Sequence, residues 1–563
     1  MKRMVIVALV CAAFYTRLVG ISWGLPYPMH PDERNMAVAV ESLKLSEHLN
    51  PHFFAYGQLP LYLAYFFIQV SNIALRGAFT ETISFEFATI ALRYISVLSS
   101  WASIWIIYRI LKEFFSEYIG KGSILIIMFL FVFSPYAIQI AHFGTTESLL
   151  TSLYLGILYL SLQIGVNKEI AGRTLLSLGV LAGLAIGTKI SSATFLALPI
   201  LVMTWTQFKA RKKPHLFLLS FIKNMVILAL VSMLFTLLAS PHILISTADF
   251  ISTITYESKI ASGAIPVFYT RQFLFSIPVL YQLVNIFPVA LGVGTFGLFL
   301  LGFFFLNWRD IRLVILRGAF LLYLIPSAFL FVKWTRFEAP VLPIAGIFGV
   351  LFLNKLLLKI GKKTIRKSLL IVTVVILSLH GIAYVSIYQN QDVRFQASTW
   401  MYENISADEL VFSEAGNVIN IPVPPKGYGK LVPNLQVLNF DFYQVDHDRA
   451  LQDELVKAMQ ESDYIIVPSR RIVGSATCSL QDANKNRGFS QKRCTQLKRL
   501  FPVTNEYYDK LTSGALGYSE IKRFTAYPKI ELFGKTLIEF PDEQYDETWS
   551  VFDHPVIRIY KRI

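Results

Sequence analysis

Two adjacent carboxylates, Asp32 and Glu33, directly follow the first hydrophobic segment of the chain. A carboxylate can act as a general base that takes the proton of a hydroxyl group. Further polar residues stand at the edges of later hydrophobic segments. Cations among them can bind a phosphate that becomes a leaving group. The candidates for such a reaction on a lipid-linked phosphate ester are His30, Asp32, Glu33, Tyr56, His142, Glu147, Lys189 and Arg336.

Each of these residues also has an ordinary structural explanation. Asp32 and Glu33 could cap a helix or lie in a solvated loop. Glu147 could cap the helix that follows it, and Lys189 could extend from an apolar segment toward the headgroups. Arg336 could be a simple loop cation, and histidines at such positions are often structural. The functional interpretation therefore depends on the joint position of these residues at one membrane face.

Composition predicts a helical membrane protein with many spans. Of the 563 residues, 54% are hydrophobic and only 16% are charged, and the mean hydropathy is +0.51. Repeated apolar segments of 17 or more residues fit membrane crossing. The net charge of +15 could indicate a nucleic-acid partner. The Lys and Arg residues of the chain cluster in short loops between apolar segments, which is the positive-inside pattern of membrane proteins. This pattern accounts for the positive charge, and no nucleic-acid partner is predicted.

The N-terminal segment MKRMVIVALVCAAFYTRLVGISW resembles a signal peptide, but no small-residue cleavage site follows it. We therefore expect it to remain as the first span. The predicted spans number eleven, at 4–22, 90–110, 123–140, 147–165, 174–188, 191–206, 216–238, 281–306, 313–331, 338–354 and 367–388.

Segment 60–76 is apolar and about long enough to span, and loop charges decide its assignment. If it does not span, all the basic loops lie on the side of Lys2 and Arg3, as the orientation rule requires. These loops are 109–123, 167–173, 207–215, 307–312 and 354–368. Segment 60–76 is thus predicted to be an interfacial helix on the outer surface.

This topology leaves several segments on the outer side of the plasma membrane and the N-terminus in the cytoplasm. The outer segments are 23–89, 142–147, the turn near Lys189, 239–280, 333–339 and everything after 388.

Residues 390–563 differ in character from residues 1–389 and predict a separate extracytoplasmic α/β domain. Polar residues increase there, and short β-like runs occur at 410–414, 464–469 and 556–561. Cys478 and Cys494 fit no zinc pattern. An extracytoplasmic location would permit a disulfide between them, and two free thiols are an equally open alternative.

The order of motifs along the chain resembles a known family. HPDE follows the first span, and then come YGQLPLY, AHFGTTESLLT, GLAIGTK and RFEAPVLPIAG. This order resembles the protein O-mannosyltransferase and aminoarabinose transferase superfamily of C-type (GT-C) membrane glycosyltransferases. The tail DETWSVFDHPVIRIYKR at 546–562 is similar to the ends of mannosyltransferases of this group. The resemblance implies a GT-C fold with about eleven transmembrane helices, interfacial helices in the first outer loop and the C-terminal domain.

The resemblance also implies a reaction and residue roles. A sugar, mannose by this resemblance, would pass with inversion from a polyprenyl-phosphate donor to an acceptor hydroxyl on a protein, lipid or glycan. Asp32 matches the catalytic base, Glu33 its neighbour and Glu147 the acidic residue of the second outer loop. Lys189 and Arg336 match positions near the donor phosphate. The remaining candidates for substrate or phosphate binding are His30, Tyr56 and His142.

Two features depart from relatives of known acceptor. Gln58-Leu59-Pro60 stands where aminoarabinose transferases have Lys-Pro-Pro, which argues against lipid A as acceptor. The repeated domain of eukaryotic O-mannosyltransferases has no counterpart, so a protein acceptor is not implied.

The leaving group carries a single phosphate, so no cofactor is predicted to be required. A divalent metal at Asp32 and Glu33 is left open. The alternative function is a transporter or lipid-linked-sugar flippase. A transporter should place ionisable groups at mid-bilayer depth, whereas the charges here stand at the ends of the spans.

Overall fold

The structure is a computed structural model of the chain. It describes residues 2–80, 82–120, 122–209, 214–416, 418–424, 434–479 and 489–563. Part of the predicted basic loop 207–215, residues 210–213, thus lies outside the described residues.

In the described residues of the N-terminal part of the chain, the regular elements are helices joined by turns and loops. Its α-helices are α1 (Lys2–Leu18), α2 (Pro31–Glu41), α3 (Leu59–Arg76), α4 (Phe85–Phe114), α5 (Ser116–Ile119), α6 (Ile124–Val132), α7 (Pro135–His142), α8 (Glu147–Asn167), α9 (Gly172–Ile186), α10 (Ala197–Lys209), α11 (Pro214–Ala239), α12 (His242–Ile245), α13 (Thr247–Ser262), α14 (Phe287–Leu291), α15 (Val293–Phe305), α16 (Ile311–Ala328), α17 (Leu342–Leu357), α18 (Lys363–Tyr384) and α19 (Ser386–Gln389). Short 3-10 helices occur at Leu45–Glu47, Ile190–Leu196, Phe268–Phe273 and Thr335–Glu338, and a π-helix at Gln282–Ile286.

Several of these helices can cross a membrane. Within the described residues, six helices are long and apolar enough, or up to eight if each of two bent helix pairs counts as one span. Helices α9 and α17 are shorter but apolar, and α1 has 17 residues. Every predicted span therefore has a helix or a bent pair at its position, and the predicted multi-pass helical fold with a C-terminal α/β part is confirmed. The interfacial helix predicted at 60–76 corresponds to α3, which is not among the candidate spans.

The predicted span 281–306 is not one straight helix. The segments Gln282–Leu291 and Val293–Phe305 meet at an angle of 119°. The break falls at Gly292, whose φ of 80° suits glycine because it has no β-carbon. A sharp bend is needed at this point, and the hydropathy of the segment could not reveal it.

A second bend of 53° separates α6 from α7, and a buried arginine stabilises it. Pro135 opens α7 and has no N–H to continue the hydrogen bonds of α6. The guanidinium of Arg17, in the first span, donates to the carbonyl of Val132 and, at 3.3 Å, to that of Phe131. Arg17 is fully buried. Its guanidinium donates to carbonyls that would otherwise lack donors in an apolar interior.

Hydrogen bonds connect residues in or beside three of the five predicted basic loops, namely 109–123, 307–312 and 354–368. The hydroxyl of Tyr118 donates to Asp310 at 2.7 Å, and Arg312 donates to the carbonyl of Phe114 at 2.8 Å. These bonds join the loop after α4 to the loop before α16. Lys355 donates at 3.0 Å to the carbonyl of Phe305. Two of the loops that the charge pattern assigns to one membrane side, 109–123 and 307–312, therefore meet in space, and Lys355 of a third lies beside the end of α15.

The C-terminal part of the chain contains a five-stranded mixed sheet. Its strand order is β2-β1-β3-β7-β4, with β2, β1 and β3 parallel and β7 antiparallel to both of its neighbours. The three predicted β-runs correspond to β1, β3 and β7. The elements are α20 (Val393–Asn404), β1 (Leu410–Ala415), β2 (Gln436–Asp441), α21 (Arg449–Glu461), β3 (Tyr464–Val467), α22 (Val473–Ala476), α23 (Phe489–Leu500), α24 (Pro502–Ser513), β4 (Tyr518–Phe524), β5 (Lys529–Leu532), β6 (Lys535–Glu539), α25 (Glu547–Ser550) and β7 (Ile557–Arg562). Cys478 and Cys494 form a disulfide with a Cα–Cα distance of 5.7 Å.

A buried polar cluster joins this sheet-containing part to the helices. His554 lies between Asp553 at 2.6 Å and Asp542 at 3.1 Å. Burial opposes the charge of the imidazolium, but the two carboxylates outweigh it and raise the pKa of His554 to about 10. Asp553 also accepts a hydrogen bond from Tyr388 at 2.7 Å, and Gln139 donates to the carbonyl of Trp549 at 2.8 Å. The C-terminal part is thus anchored to α7 and α19.

Candidate active site

Helix α2 places the two adjacent carboxylates in its first turn. The His30 side chain caps the helix by accepting from the Glu33 N–H at 3.4 Å, and Pro31 occupies the first helical position. Successive residues of a helix point about 100° apart. Asp32 and Glu33 therefore face different surroundings, although they are neighbours in sequence.

Glu33 is turned into the protein and clamped by Arg93 of α4. Two guanidinium N–H groups of Arg93 bind the two Glu33 oxygens, each at 2.7 Å, and the Gly144 N–H donates at 2.7 Å. Arg93 also donates to the carbonyls of Ile21 and Trp23. This arrangement ties the start of α2 and the segment before it to α4 and to the loop before α8. Glu33 therefore has a structural role beside the site, because its carboxylate points into the protein.

Asp32 faces the open side of the site and pairs with Arg336. Its second oxygen accepts a hydrogen bond from the Tyr56 hydroxyl at 2.9 Å. The side chains of Arg336 and Asp32 remain 15% and 21% exposed, respectively, so the pair is accessible. Burial opposes ionisation of Asp32, but the Arg336 guanidinium outweighs this effect and lowers the pKa of the carboxyl to about 2.

A second ion pair lies beside the first. The Lys189 ammonium is 3.6 Å from Glu147, and the Thr146 hydroxyl donates to the same carboxylate at 3.2 Å. The ammonium is also 5.2 Å from the Tyr56 ring centroid and 4.9 Å from that of Phe337. Tyr56 thus touches both pairs, since its hydroxyl binds Asp32. Burial lowers the pKa of Lys189 from its usual value.

One residue of each pair, Arg336 and Glu147, lines a narrow pocket. Residues of the helical part and of the C-terminal part line it together, among them His30, Glu147, Thr335, Arg336 and Thr548. His30 also packs against Phe552, with ring centroids 4.3 Å apart. The C-terminal part of the chain therefore supplies one wall of the site.

The structure brings together most of the residues that the sequence singled out, but not His142. Both ring nitrogens of His142 face backbone carbonyls, at 2.8 Å from Ile138 and 2.9 Å from Val19. The ring stacks on Tyr388 with centroids 3.6 Å apart and is fully buried. His142 holds the end of the first span in place and offers no free group to a substrate.

Three residues of the site escaped the sequence analysis. Arg93 holds Glu33, and its charge inside an apolar segment was the available signal. Asp546, from the C-terminal part, accepts hydrogen bonds from the N–H and the hydroxyl of Thr335. Glu257 of α13 is exposed and close enough to Asp32 and Arg336 for their charges to act on it. For Asp546 and Glu257, no local sequence pattern indicates the contact.

The carboxylates of the site are already matched by protein groups. Asp32 has Arg336 and Tyr56, and Glu33 has Arg93 and Gly144. In the described residues no group of three or more His, Cys, Asp or Glu is arranged to hold a metal ion. Asp32 and Glu33 are therefore engaged by separate groups of the protein.

Part of the chain matches a known protein family. Residues 78–245 match the family model described as dolichyl-phosphate-mannose-protein mannosyltransferase. Among curated proteins, none matches.

Two of the similar solved structures are those of ArnT from Cupriavidus metallidurans, in the apo state and bound to undecaprenyl phosphate. Each is 12% identical and covers 82% of this chain and 92% of its own, with TM-scores of 0.44 and 0.46, respectively. The family match includes α4, α8, Glu147 and Lys189. It confirms the predicted resemblance and identifies the chain as a multi-pass membrane glycosyltransferase similar to the dolichyl-phosphate-mannose-protein mannosyltransferases.

Proposed function

We propose that the protein transfers mannose, with inversion, from a polyprenyl-phosphate carrier to an acceptor hydroxyl. The observation that carries this proposal is the pairing of Asp32 with Arg336 beside Lys189 and Glu147. A base and two phosphate-binding cations lie in one accessible cluster. The matched family is named for a phosphate-linked mannose donor, which supports the choice of sugar and carrier.

In the proposed reaction Asp32 takes the proton of the acceptor hydroxyl. The acceptor oxygen forms a bond to the anomeric carbon, and the bond from that carbon to the phosphate oxygen breaks. Its electron pair stays on the polyprenyl phosphate, whose added negative charge is stabilised by Arg336 and Lys189. No other reactant is needed for the atoms and charges to balance.

The ion pair also links donor binding to the base. While Arg336 is bound to Asp32, the carboxylate is a weak base, because its pKa is held near 2. A donor phosphate that engages the guanidinium competes for the same N–H groups. Asp32 then loses part of its stabilisation, and its pKa rises toward the range useful for a base.

The direct test is product analysis. Purified protein in lipid nanodiscs is incubated with radiolabelled polyprenyl-phosphate mannose and a panel of protein, lipid and glycan acceptors. We expect a mannosylated product whose anomeric configuration is opposite to that of the donor. Movement of intact donor across a vesicle membrane without any product would instead favour the flippase alternative.

Removing Arg336 should shift the acid side of the pH profile. In wild type the folded pKa of Asp32 is depressed to about 2, so its carboxylate stays ionised throughout mildly acidic pH. In Arg336→Gln burial remains while the cation is lost, so the pKa of Asp32 rises. The residual kcat/KM of the variant should then fall with decreasing pH in a range where wild type is flat. Parallel profiles would contradict the role of this pair.

Asp546 is expected to position Arg336, because it holds the neighbouring Thr335. We predict that Asp546→Ala raises the KM for the donor and has little further effect in an Arg336→Ala background, since coupled residues are not additive. Asp446 is the matched control: it accepts from the Thr504 N–H at 3.1 Å and its hydroxyl at 2.5 Å, away from the site. Equal losses in Asp446→Ala and Asp546→Ala would indicate a general folding defect.

We place the site and the C-terminal domain on the extracytoplasmic side of the plasma membrane. In a Cys11→Ala background, Glu117→Cys marks the basic-loop end and Val456→Cys marks the C-terminal domain, and both native side chains are exposed. An impermeant maleimide added to intact cells should label the second variant and spare the first. The reverse labelling pattern would invert the topology.

A further inference from the structure

The β-hairpin formed by β5 and β6 carries large apolar side chains on its surface. Phe533 is 95% exposed, and Leu532, Leu537 and Ile538 are exposed as well. Soluble surfaces rarely gather such residues without a partner. The hairpin does not belong to the five-stranded sheet, and it contributes nothing to the site described above.

Phe533 also occupies an unfavourable backbone position. Leu532 and Lys535 pair across the end of the hairpin, so the turn consists of Phe533 and Gly534. Their φ angles are 50° and 75°. Such turns favour Asn-Gly, because a bulky residue at positive φ is strained. The turn itself does not explain a phenylalanine at this position. A favourable contact of its ring outside the turn would explain it.

The hairpin lies beside the end of a candidate membrane span. Strand β5 packs against α18. The Lys529 N–H donates to the Ser386 hydroxyl at 3.1 Å, and Phe540 packs on His380 with ring centroids 4.7 Å apart. On α18 itself, Ile376 and Ile382 are 59% and 37% exposed, respectively. The apolar surface of the span therefore continues onto the hairpin.

We propose that the hairpin 529–539 is a membrane anchor of the C-terminal domain, with Phe533 inserted into the bilayer interface beside α18. Lys535 directly follows the apolar tip and suits the phosphates of the headgroups, whereas Lys529 at the start of β5 is paired with Glu531 at 2.7 Å. Burial in lipid gives the exposed side chains an apolar environment. The anchor keeps the C-terminal wall of the site at a fixed height above the membrane.

The test measures where residue 533 resides. In a Cys11→Ala background, a nitroxide is attached to Phe533→Cys, to Ile376→Cys as a lipid-facing reference, and to Val456→Cys as a water-facing reference. Nanodiscs that hold one copy each exclude contact between copies. We expect the label at 533 to be accessible to oxygen and protected from a water-soluble nickel relaxant, as at 376. Accessibility like that at 456 would overturn the proposal, and so would protection from both relaxants, which indicates protein contact.

A second variant removes the anchor and favours the turn. Asparagine accepts a positive φ readily, so Phe533→Asn should keep the hairpin folded. In nanodiscs, trypsin should cleave after Lys529 or Lys535 about tenfold faster in this variant than in wild type, because the burial of one phenylalanine is lost. Equal cleavage rates in the two proteins would contradict membrane insertion of the tip.

Discussion

Replacing Asp32 by asparagine is expected to lower turnover by about 10²–10⁴-fold, because the loss of a general base typically costs this much. Asparagine keeps the size of the side chain and can still accept from Tyr56. It cannot take up the proton of the acceptor hydroxyl. Steady-state sugar transfer in nanodiscs measures the effect, and the donor KM should change far less than kcat.

Loss of an Asp–Arg pair could by itself disturb folding, and Asp310 controls for this. Asp310 pairs with Arg312 at 2.8 Å, at the end of the helices opposite to the site. Asp310→Asn should retain near wild-type turnover, and both variants should elute as folded protein. Full activity of Asp32→Asn would remove Asp32 from the mechanism.

Changes at Arg336 should weaken both donor binding and turnover. A guanidinium can bind two phosphate oxygens at once, whereas an ammonium acts as a single charge. Arg336→Lys should therefore lose activity although the charge is retained. Arg336→Ala should lose more, about 10²–10³-fold in kcat, as for the removal of one donor to a developing anion. Donor affinity and turnover of both variants in nanodiscs test this.

Arg271 is the control for Arg336. It belongs to the segment 239–280, which is predicted to lie on the outer side, and it takes no part in the two ion pairs. It donates to the carbonyl of Tyr443 at 3.1 Å and lies 4.7 Å from the Phe501 ring centroid. Arg271→Lys should leave donor affinity unchanged. Wild-type behaviour of both Arg336 variants would show that Arg336 does not bind the donor phosphate, and Lys189 would then be the cation to examine.

The helical architecture was predictable because its causes are local. Apolar segments of sufficient length mark the spans, and loop charges mark the shared side of loops that the structure brings together, such as those at Tyr118 and Asp310. The loop charges also assigned Asp32 and Arg336 to one membrane face, but they did not specify that the two side chains pair. The short β-like runs at 410–414 and 464–469 likewise indicated strands.

The pairing of individual side chains was not predictable from these patterns. Asp32 and Glu33 look like one functional unit in sequence, but the helical rotation sends one to Arg336 and the other to Arg93. Histidine is a residue type common in active sites, yet both ring nitrogens of His142 face backbone carbonyls. The contact of Thr335 with Asp546 spans 211 residues and depends on how the C-terminal domain docks.

The clamp between Glu33 and Arg93 has a consequence for the biogenesis of the protein. An arginine within a membrane helix is costly, up to about 2.5–3.5 kcal/mol at the helix centre on insertion scales, and Arg93 lies in α4 near one end of the predicted span 90–110. Glu33 precedes Arg93 by 60 residues. Ile21 and Trp23, whose carbonyls also bind Arg93, precede it by a similar number of residues. The ribosome thus delivers every one of these partners, and places the first span, before Arg93 itself is synthesised. The order of synthesis lets α4 enter the bilayer with its charge already matched.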